Sequence, residues 1–148
     1  MGLCGLRIGE ALALTYADIT SQGKVRISKT LTSKRKIEST KNGNTRELQL
    51  PERLSYLFEL RDSESVIINL SGQYMHYNTI VRPFRSLQLQ VLGKYYEPHF
   101  FRHASSKRWF QRGLKDSEIS LRLGHDSVAT TLDYYGRYRR FNDRIEDI

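Results

Sequence analysis

The sequence has little of what disulfide frameworks, metal clusters and membrane spans are made from. Cys4 is the only cysteine among 148 residues, which excludes an internal disulfide and a cysteine metal cluster. No apolar run approaches the ~18 residues of a membrane-spanning helix, and no signal peptide is recognisable. Repeats and low-complexity tracts are lacking as well. We therefore expect an ordinary globular domain in the cytoplasm.

Acidic residues are scarce beside basic ones. The chain has 24 Lys and Arg against 16 Asp and Glu, which gives a net charge of +8. Between residues 24 and 46 one acid, Glu38, stands among eight basic residues: Lys24, Arg26, Lys29, Lys34, Arg35, Lys36, Lys41 and Arg46. A cluster of this kind attracts polyanions, most commonly nucleic acid. The alternative is a solvated basic hairpin that binds nothing.

Hydrophobic periodicity predicts one α+β domain, mostly helical, over residues 1–148. Residues 5–15 form the first predicted helix, with an inward face of Ile8, Ala11, Leu12 and Thr15. Residues 18–50 alternate as a small antiparallel sheet of about three strands, with a hairpin turn at 42–44. The remaining predicted elements are a helix over 51–60, a short strand at 66–68, and helices over 79–92, 99–112 and 117–123.

A further helix is predicted near the end of the chain. Gly124 is a natural helix stop, and Asp126 and Ser127 are good N-cap residues, so His125 is expected in the tight turn between two helices. Three residues share the apolar face of the new helix: Val128, Leu132 and Tyr135. Tyr134 lies about 100° away from that face and is free to point elsewhere. Taken alone, such a tyrosine is most often a surface or interface residue.

Two pairs of residues at helical spacing have more than one interpretation. Arg7 and Glu10 are i, i+3 neighbours, which usually means a weak surface ion pair. His99 and His103 are spaced i, i+4 like metal ligands, but the Glu of the His-Glu-x-x-His motif is missing and no third ligand is evident. We therefore predict no metal site.

Four motifs, taken in order, resemble those of the tyrosine recombinase (phage integrase) family. The matching stretches are Gly5-Leu6-Arg7-Ile8-Gly9-Glu10, Thr40-Lys41-Asn42-Gly43, Pro98-His99-Phe100-Phe101-Arg102-His103 and Leu123-Gly124-His125 followed by Tyr134. Each motif alone is weak evidence, but together they span nearly the whole chain. Gly9 stands where the family frequently has Ser or Thr. The resemblance implies the family's α+β catalytic-domain fold.

The resemblance also implies a catalytic set for cleaving a DNA phosphodiester: Arg7, Lys41, His99, Arg102, His125 and Tyr134. Planar guanidinium groups bind phosphate oxygens bidentately and stay ionised, which suits Arg7 and Arg102 to stabilise the charge on the phosphate. Because the bond energy is kept in a protein–DNA link, neither a metal nor ATP nor another cofactor is required. Strand rejoining is therefore possible.

The other implied roles concern proton transfer. Tyr134 is the implied nucleophile, and its product is a 3′-phosphotyrosyl link. A phenol of ordinary pKa is only about one part in a thousand ionised at neutral pH, so it needs nearby cations and a base. The resemblance assigns His99 as that base and His125 as a donor to the phosphate oxygens. It assigns Lys41 to protonate the leaving 5′-oxygen.

Supporting and binding residues are implied as well. Glu10 is expected to hold Arg7 in place, and His103 to support the fold around the site. The implied DNA contacts are Lys29, Lys34, Arg35, Lys36 and Arg46, one of which could replace Lys41 in its role. Family members act as tetramers on double-stranded DNA, and residues 137–148 are our candidate for contacting a neighbouring protomer.

We therefore predict an integrase-type site-specific recombinase, of the kind carried by phages and mobile elements. A type IB topoisomerase-like nicking and closing enzyme is one alternative, because it uses the same residue types. A non-catalytic DNA-binding module that retains the fold is another. The DNA-clamping and arm-binding domains of the family are not found in the chain. We accordingly expect a fragment, truncated at its N-terminus, that binds DNA weakly and whose activity alone is open.

Overall fold

The structure is a computed structural model, and it describes residues 1–34, 36–40, 43–54, 74–125, 127 and 129. The helices are α1 (Ile8–Ala13), α2 (Tyr77–Leu92), α3 (Pro98–Gln111) and α4 (Asp116–Leu123). The strands are β1 (Lys24–Ile27), β2 (Lys29–Leu31), β3 (Ile37–Ser39) and β4 (Arg46–Gln49). A short helix thus precedes an antiparallel β region, and helices follow it. The predicted α+β class is confirmed.

The β region differs from the predicted three-stranded sheet. Within the described residues it consists of four strands in two antiparallel pairs, β1 with β4 and β2 with β3. Val25 lies opposite Leu48 in the first pair, and Thr30 lies opposite Glu38 in the second. Ser28 separates β1 from β2, and its carbonyl accepts a hydrogen bond from the Thr40 amide at 3.1 Å. The alternation of apolar and polar residues alone makes residues 24–31 look like one continuous strand, and this one-residue break divides them into two.

Helix α1 is shorter than the predicted helix over 5–15. Gly5 has a left-handed φ of 64° and therefore lies outside the helix. The Arg7 amide donates to the Glu10 carboxylate at 2.8 Å, which satisfies an amide at the helix start. Leu14 is extended, with φ −66° and ψ 135°, and ends the helix. A 3₁₀ turn at Tyr16–Asp18 follows.

The predicted inward face of α1 is confirmed by the core. One cluster of buried side chains joins this helix to β1 and β4: Cys4, Leu6, Ala11, Leu14, Val25, Ile27, Leu48 and Leu50. A second cluster joins it to β2: Leu12, Ala13 and Leu31, with Ile8 packed against them. Helix α1 therefore lies against both strand pairs. This packing fixes the positions of Arg7 and Glu10 beside the strands.

Local signals set the ends of α2 and the start of α3. Helix α2 begins at Tyr77, because the His76 Nδ1 accepts a hydrogen bond from the Asn78 amide at 3.2 Å. The helix therefore begins two residues before the predicted start at residue 79. Gly93 ends the helix with φ 65°, as predicted. Pro98 occupies the first helical position of α3, where its missing amide proton costs nothing.

Helix α4 ends in the turn that was predicted for it. Gly124 adopts a left-handed φ of 63°. The His125 amide donates to the Ser120 carbonyl at 3.1 Å, and the Gly124 amide donates to the Leu121 carbonyl at 3.1 Å. Against this helix packs Trp109 of α3, which is only 8% exposed. The turn therefore presents His125 directly after a helix that is anchored in the core.

Several predicted elements lie partly or wholly outside the described residues. Of the predicted helix over 51–60, the structure describes a 3₁₀ turn at 52–54. The predicted strand at 66–68 and the helix predicted after residue 127 lie outside the described range. Of the predicted hairpin turn at 42–44, Gly43 and Asn44 are described, and Gly43 has a left-handed φ of 69°. The hairpin itself is wrong for the described residues, because β3 pairs with β2 and β4 pairs with β1. The strand at 66–68 and the helix after residue 127 stay predictions.

Candidate active site

One buried carboxylate gathers three arginines from distant parts of the sequence. Glu10, on α1, is 1% exposed. Its Oε1 accepts a hydrogen bond from Arg7 Nη1 at 3.0 Å. Arg46 Nη1 and Nη2 donate to its two oxygens at 3.1 and 2.8 Å. Arg102 Nη1 lies 3.9 Å from Oε2. The surface ion pair that the Arg7 and Glu10 spacing usually indicates is thus a buried cluster.

The charge of Glu10 is maintained by these arginines. Burial raises the pKa of the Glu10 carboxyl, but hydrogen bonds and charge from Arg46 and hydrogen bonds from Arg7 outweigh burial and hold its pKa below the ordinary value. The carboxylate is therefore ionised at neutral pH. A single negative charge is surrounded by three guanidinium groups, so the cluster retains an excess of positive charge that suits a phosphate.

The structure brings Arg7 and Arg102 together. Arg102, on α3, is 2% exposed, and its Nη1 and Nη2 donate to the carbonyls of Gly5 and Leu123, each at 2.7 Å. Arg7 has a side chain that is 38% exposed, and its Nη2 donates to the Gly124 carbonyl at 3.3 Å. Arg7 is thus the more accessible of the two. Arg102 ties the N-terminal loop to the end of α4.

Three histidines lie beside these arginines and are held neutral. The rings of His99 and His103 are 4.5 Å apart and nearly perpendicular. Burial lowers the pKa of His99, with help from the charges of Arg102 and Arg7, and burial with His99 and Arg102 lowers the pKa of His103. Burial and the nearby arginines lower the pKa of His125 to about 4. A neutral imidazole offers both an acceptor and a donor, as proton transfer requires.

The neutral state of His125 predicts a pH-dependent stability. Its pKa is about 4 in the fold against an ordinary 6.5, so the unfolded chain binds more protons between these values. The contribution of neutral His125 to the free energy of unfolding should be fully present above pH 6.5 and be lost as the pH drops through about 4. The pKa difference corresponds to about 3 kcal/mol, which solvent screening at this partly exposed position reduces to about 1–2 kcal/mol. Urea unfolding curves at several pH values measure the fall.

A His125→Gln variant is the control for this pH dependence. Its free energy of unfolding should change less between neutral and acidic pH, because glutamine does not titrate. The other ionisable groups contribute equally in both proteins, so the difference isolates His125. Equal slopes for the two proteins would contradict the prediction.

The predicted DNA contacts do not share one environment. Lys34 and Lys36 are exposed, as a phosphate contact requires. Lys29 Nζ lies 2.8 Å from the Asp18 carboxylate and donates to Thr15 Oγ1 at 3.2 Å. Arg46 also differs from the prediction, since its side chain is 11% exposed and faces Glu10. Arg35, Lys41 and Tyr134 lie outside the described residues, and so does Tyr135.

Sequence reasoning missed the position of Arg46, although a signal was present. Alternation along β4 puts residues 46 and 48 on the same face, and Leu48 is buried. Arg46 is therefore on the inward face of the strand, where an arginine needs a carboxylate partner.

Among the described residues, no group of three or more His, Cys, Asp or Glu side chains is arranged to hold a metal ion. In the same part of the chain no helix is long and apolar enough to cross a membrane.

Comparison with protein families and curated sequences gives consistent matches. The model of the phage integrase family matches residues 1–140. Tyrosine recombinase XerC of Chlamydia trachomatis (serovar L2) is 30% identical over 97% of the chain, which covers 46% of that protein. XerC of Chlamydia muridarum is also 30% identical, with the same coverage. The chain therefore spans about half the length of the curated relatives it matches.

Solved structures share the fold at low sequence identity. The Tn1549 transposon integrase in complex with transposon right end DNA matches with a TM-score of 0.73 and 19% identity, over 98% of this chain and 56% of that one. The XerH site-specific recombinase bound to palindromic difH substrate matches with a TM-score of 0.67 and 16% identity, over 99% and 43%. The catalytic domain of bacteriophage HP1 integrase matches with a TM-score of 0.62 and 16% identity, over 91% and 69%.

Proposed function

The chain belongs to the phage integrase family, and from this membership we propose that it provides the catalytic domain of a site-specific DNA recombinase. The proposed reaction cleaves and rejoins DNA one strand at a time through a covalent 3′-phosphotyrosyl link at Tyr134. The observation that carries the proposal is the convergence of Arg7 and Arg102 on one buried carboxylate, Glu10, beside His125. The relatives named as tyrosine recombinases and the DNA-bound neighbours support it.

The proposed chemistry needs only groups of the chain. The phenol oxygen of Tyr134 attacks the phosphorus, a bond between them forms, and the bond to the 5′-oxygen breaks. The phenol proton passes to His99, which the low pKa keeps neutral and able to accept it. Lys41 gives a proton to the leaving 5′-oxygen. Protons therefore balance without water, and the reverse steps rejoin the strand.

Charge stabilisation falls to the arginines in this proposal. Arg7 is partly exposed and can bind the non-bridging oxygens directly. Arg102 is held by two carbonyls and keeps its charge close to the same space. His125, neutral at physiological pH, can donate one hydrogen bond to the phosphate. Pre-positioned donors of this kind contribute more than the same groups in water, because they need no reorganisation during reaction.

The remaining parts of the proposal concern binding and assembly. The exposed Lys34 and Lys36 are suited to the DNA backbone, and binding should weaken as salt is raised. Exchange between two DNA sites requires several protomers, so we propose a tetramer on DNA. In it, residues 137–148 would contact a neighbouring protomer.

Covalent trapping tests the proposed function. The protein at its full natural length is incubated with nicked duplex fragments of the source organism's genome. A nick near the cleavage site releases a short 5′-hydroxyl strand, so that rejoining fails and the adduct accumulates. We expect a labelled protein–DNA adduct that survives denaturant and is removed by protease. Salt-sensitive binding without any adduct would instead identify a non-catalytic DNA-binding module. Relaxation of supercoiled DNA without joining of two sites would identify a topoisomerase-like enzyme.

A further inference from the structure

We propose that Arg46 is a positioning residue of the strand-cleavage reaction, which holds Glu10 in the orientation that fixes Arg7 and anchors the turn that carries His125. The inference rests on the proposed function. It replaces the interpretation of Arg46 as a DNA contact, because its side chain is directed into the protein. Arg46 would act through its neighbours and would not touch the DNA.

Arg46 and Glu10 form a two-point contact. The two terminal nitrogens of Arg46 reach the two oxygens of Glu10, at 3.1 and 2.8 Å, so the planar groups lie side by side. Arg7 binds the same carboxylate through its amide, at 2.8 Å, and through its Nη1, at 3.0 Å. A carboxylate that rotated would break the contacts to Arg7. Arg46 therefore restricts the orientation of Arg7 through the carboxylate that they share.

Arg46 also contacts the end of α4. Arg46 Nε donates to the Arg122 carbonyl at 2.8 Å. Its guanidinium also lies against Gly124, where a Cβ atom would come within 2.7 Å of Nη1. Arg7 Nη2 binds the carbonyl of the same glycine at 3.3 Å. Arg102 Nη2 donates to the Leu123 carbonyl at 2.7 Å, so the turn immediately before His125 is held by three arginines, one of which is Arg46.

Each side-chain nitrogen of Arg46 already donates a hydrogen bond within the protein. Its Nε, Nη1 and Nη2 all donate to Glu10 or to the Arg122 carbonyl. Three donors in a fixed plane are needed for this arrangement, and the single ammonium of lysine cannot reproduce it. Arg46→Lys thus keeps the positive charge and removes the planar arrangement of three donors. Misplacing a catalytic group by about 1 Å can cost about 100-fold in rate.

The test uses the protein at its full natural length and measures adduct formation at saturating DNA. Arg46→Lys is expected to lower the single-turnover rate about 10- to 100-fold, with DNA affinity within about threefold of wild type. Arg53, exposed in the turn after β4, supplies the matched control. Arg53→Lys should leave both quantities unchanged.

A second substrate separates positioning from loss of folded protein. A methylphosphonate at the cleaved position removes the charge that Arg7 would meet. The rate deficit of Arg46→Lys should then shrink to less than about threefold, because a mispositioned Arg7 no longer matters. The ratio of the two rates is measured on one preparation, so unfolded molecules cancel. Arg46→Met should give the same pattern with a larger deficit.

Three results would overturn the proposal. An equal deficit on both substrates would mean that Arg46 is merely structural. A large loss of DNA affinity with an unchanged rate would make Arg46 a DNA contact. An unchanged rate and affinity would remove any role for it. The wild-type protein distinguishes these from failure of the proposed function, since without a wild-type adduct the cleavage reaction itself is refuted and the role of Arg46 in it falls too.

Discussion

Replacing Tyr134 by phenylalanine is expected to abolish the covalent protein–DNA adduct completely, while Tyr135→Phe leaves it intact. Phenylalanine keeps the ring and removes the only oxygen that could form the bond to phosphorus. DNA binding should persist, because one neutral hydroxyl contributes little to the attraction of a polyanion. Gel separation of labelled nicked DNA after denaturation measures the adduct, and a filter-binding titration measures the affinity.

The paired variants make this prediction specific to one hydroxyl. Both substitutions remove one oxygen from adjacent tyrosines, so they differ in position alone. On the predicted helix, Tyr135 shares an apolar face with Val128 and Leu132, whereas Tyr134 lies off that face. If Tyr135→Phe abolished the adduct and Tyr134→Phe did not, the family assignment would stand and the nucleophile would be wrong.

Helix ends were the features most open to prediction from sequence. Gly93 and Gly124 end their helices in left-handed conformations, and Pro98 starts one, because each of these residues acts through its own backbone. Helix α1 was predicted too long because its start depends on a contact with a residue that is distant in the sequence. Its short length depends on the loop at Gly5, whose carbonyl is held by Arg102 at 2.7 Å. That contact spans most of the chain, and no local window contains it.

The charged residues of the site could be predicted only in part from the sequence. The motif resemblance singled out Arg7, Glu10 and Arg102, and the structure places them within one cluster. Arg46 was grouped with the exposed cations because it belongs to a basic segment. Composition describes a segment as a whole, whereas the pleat of β4 decides which of its residues face inward. A charged side chain is buried where the pleat directs it inward and a residue of another element supplies the opposite charge.

Removal of the carboxylate at the centre of this cluster is expected to have the largest effect on stability. Glu10→Gln keeps the shape and removes the charge, which leaves Arg7, Arg46 and Arg102 facing each other around a neutral amide. Removing one partner from a buried ionic cluster destabilises by about 3–5 kcal/mol, because the remaining charges are uncompensated. Urea unfolding at neutral pH measures the loss.

Glu47→Gln provides the matched control, since it makes the same change on β4 at an exposed position. Glu47 lies 3.8 Å from Lys24, and both side chains are more than 40% exposed, so its loss should cost less than about 1 kcal/mol.

The pH dependence of the Glu10→Gln effect gives a second check. Because the pKa of Glu10 is held below its ordinary value, its contribution is present above that value and lost as the pH falls through the native pKa. The difference between wild type and Glu10→Gln should therefore narrow in acid. An equal loss for both variants at neutral pH would mean that the arginines are held apart by other contacts, and Glu10 could then not be the residue that orients Arg7.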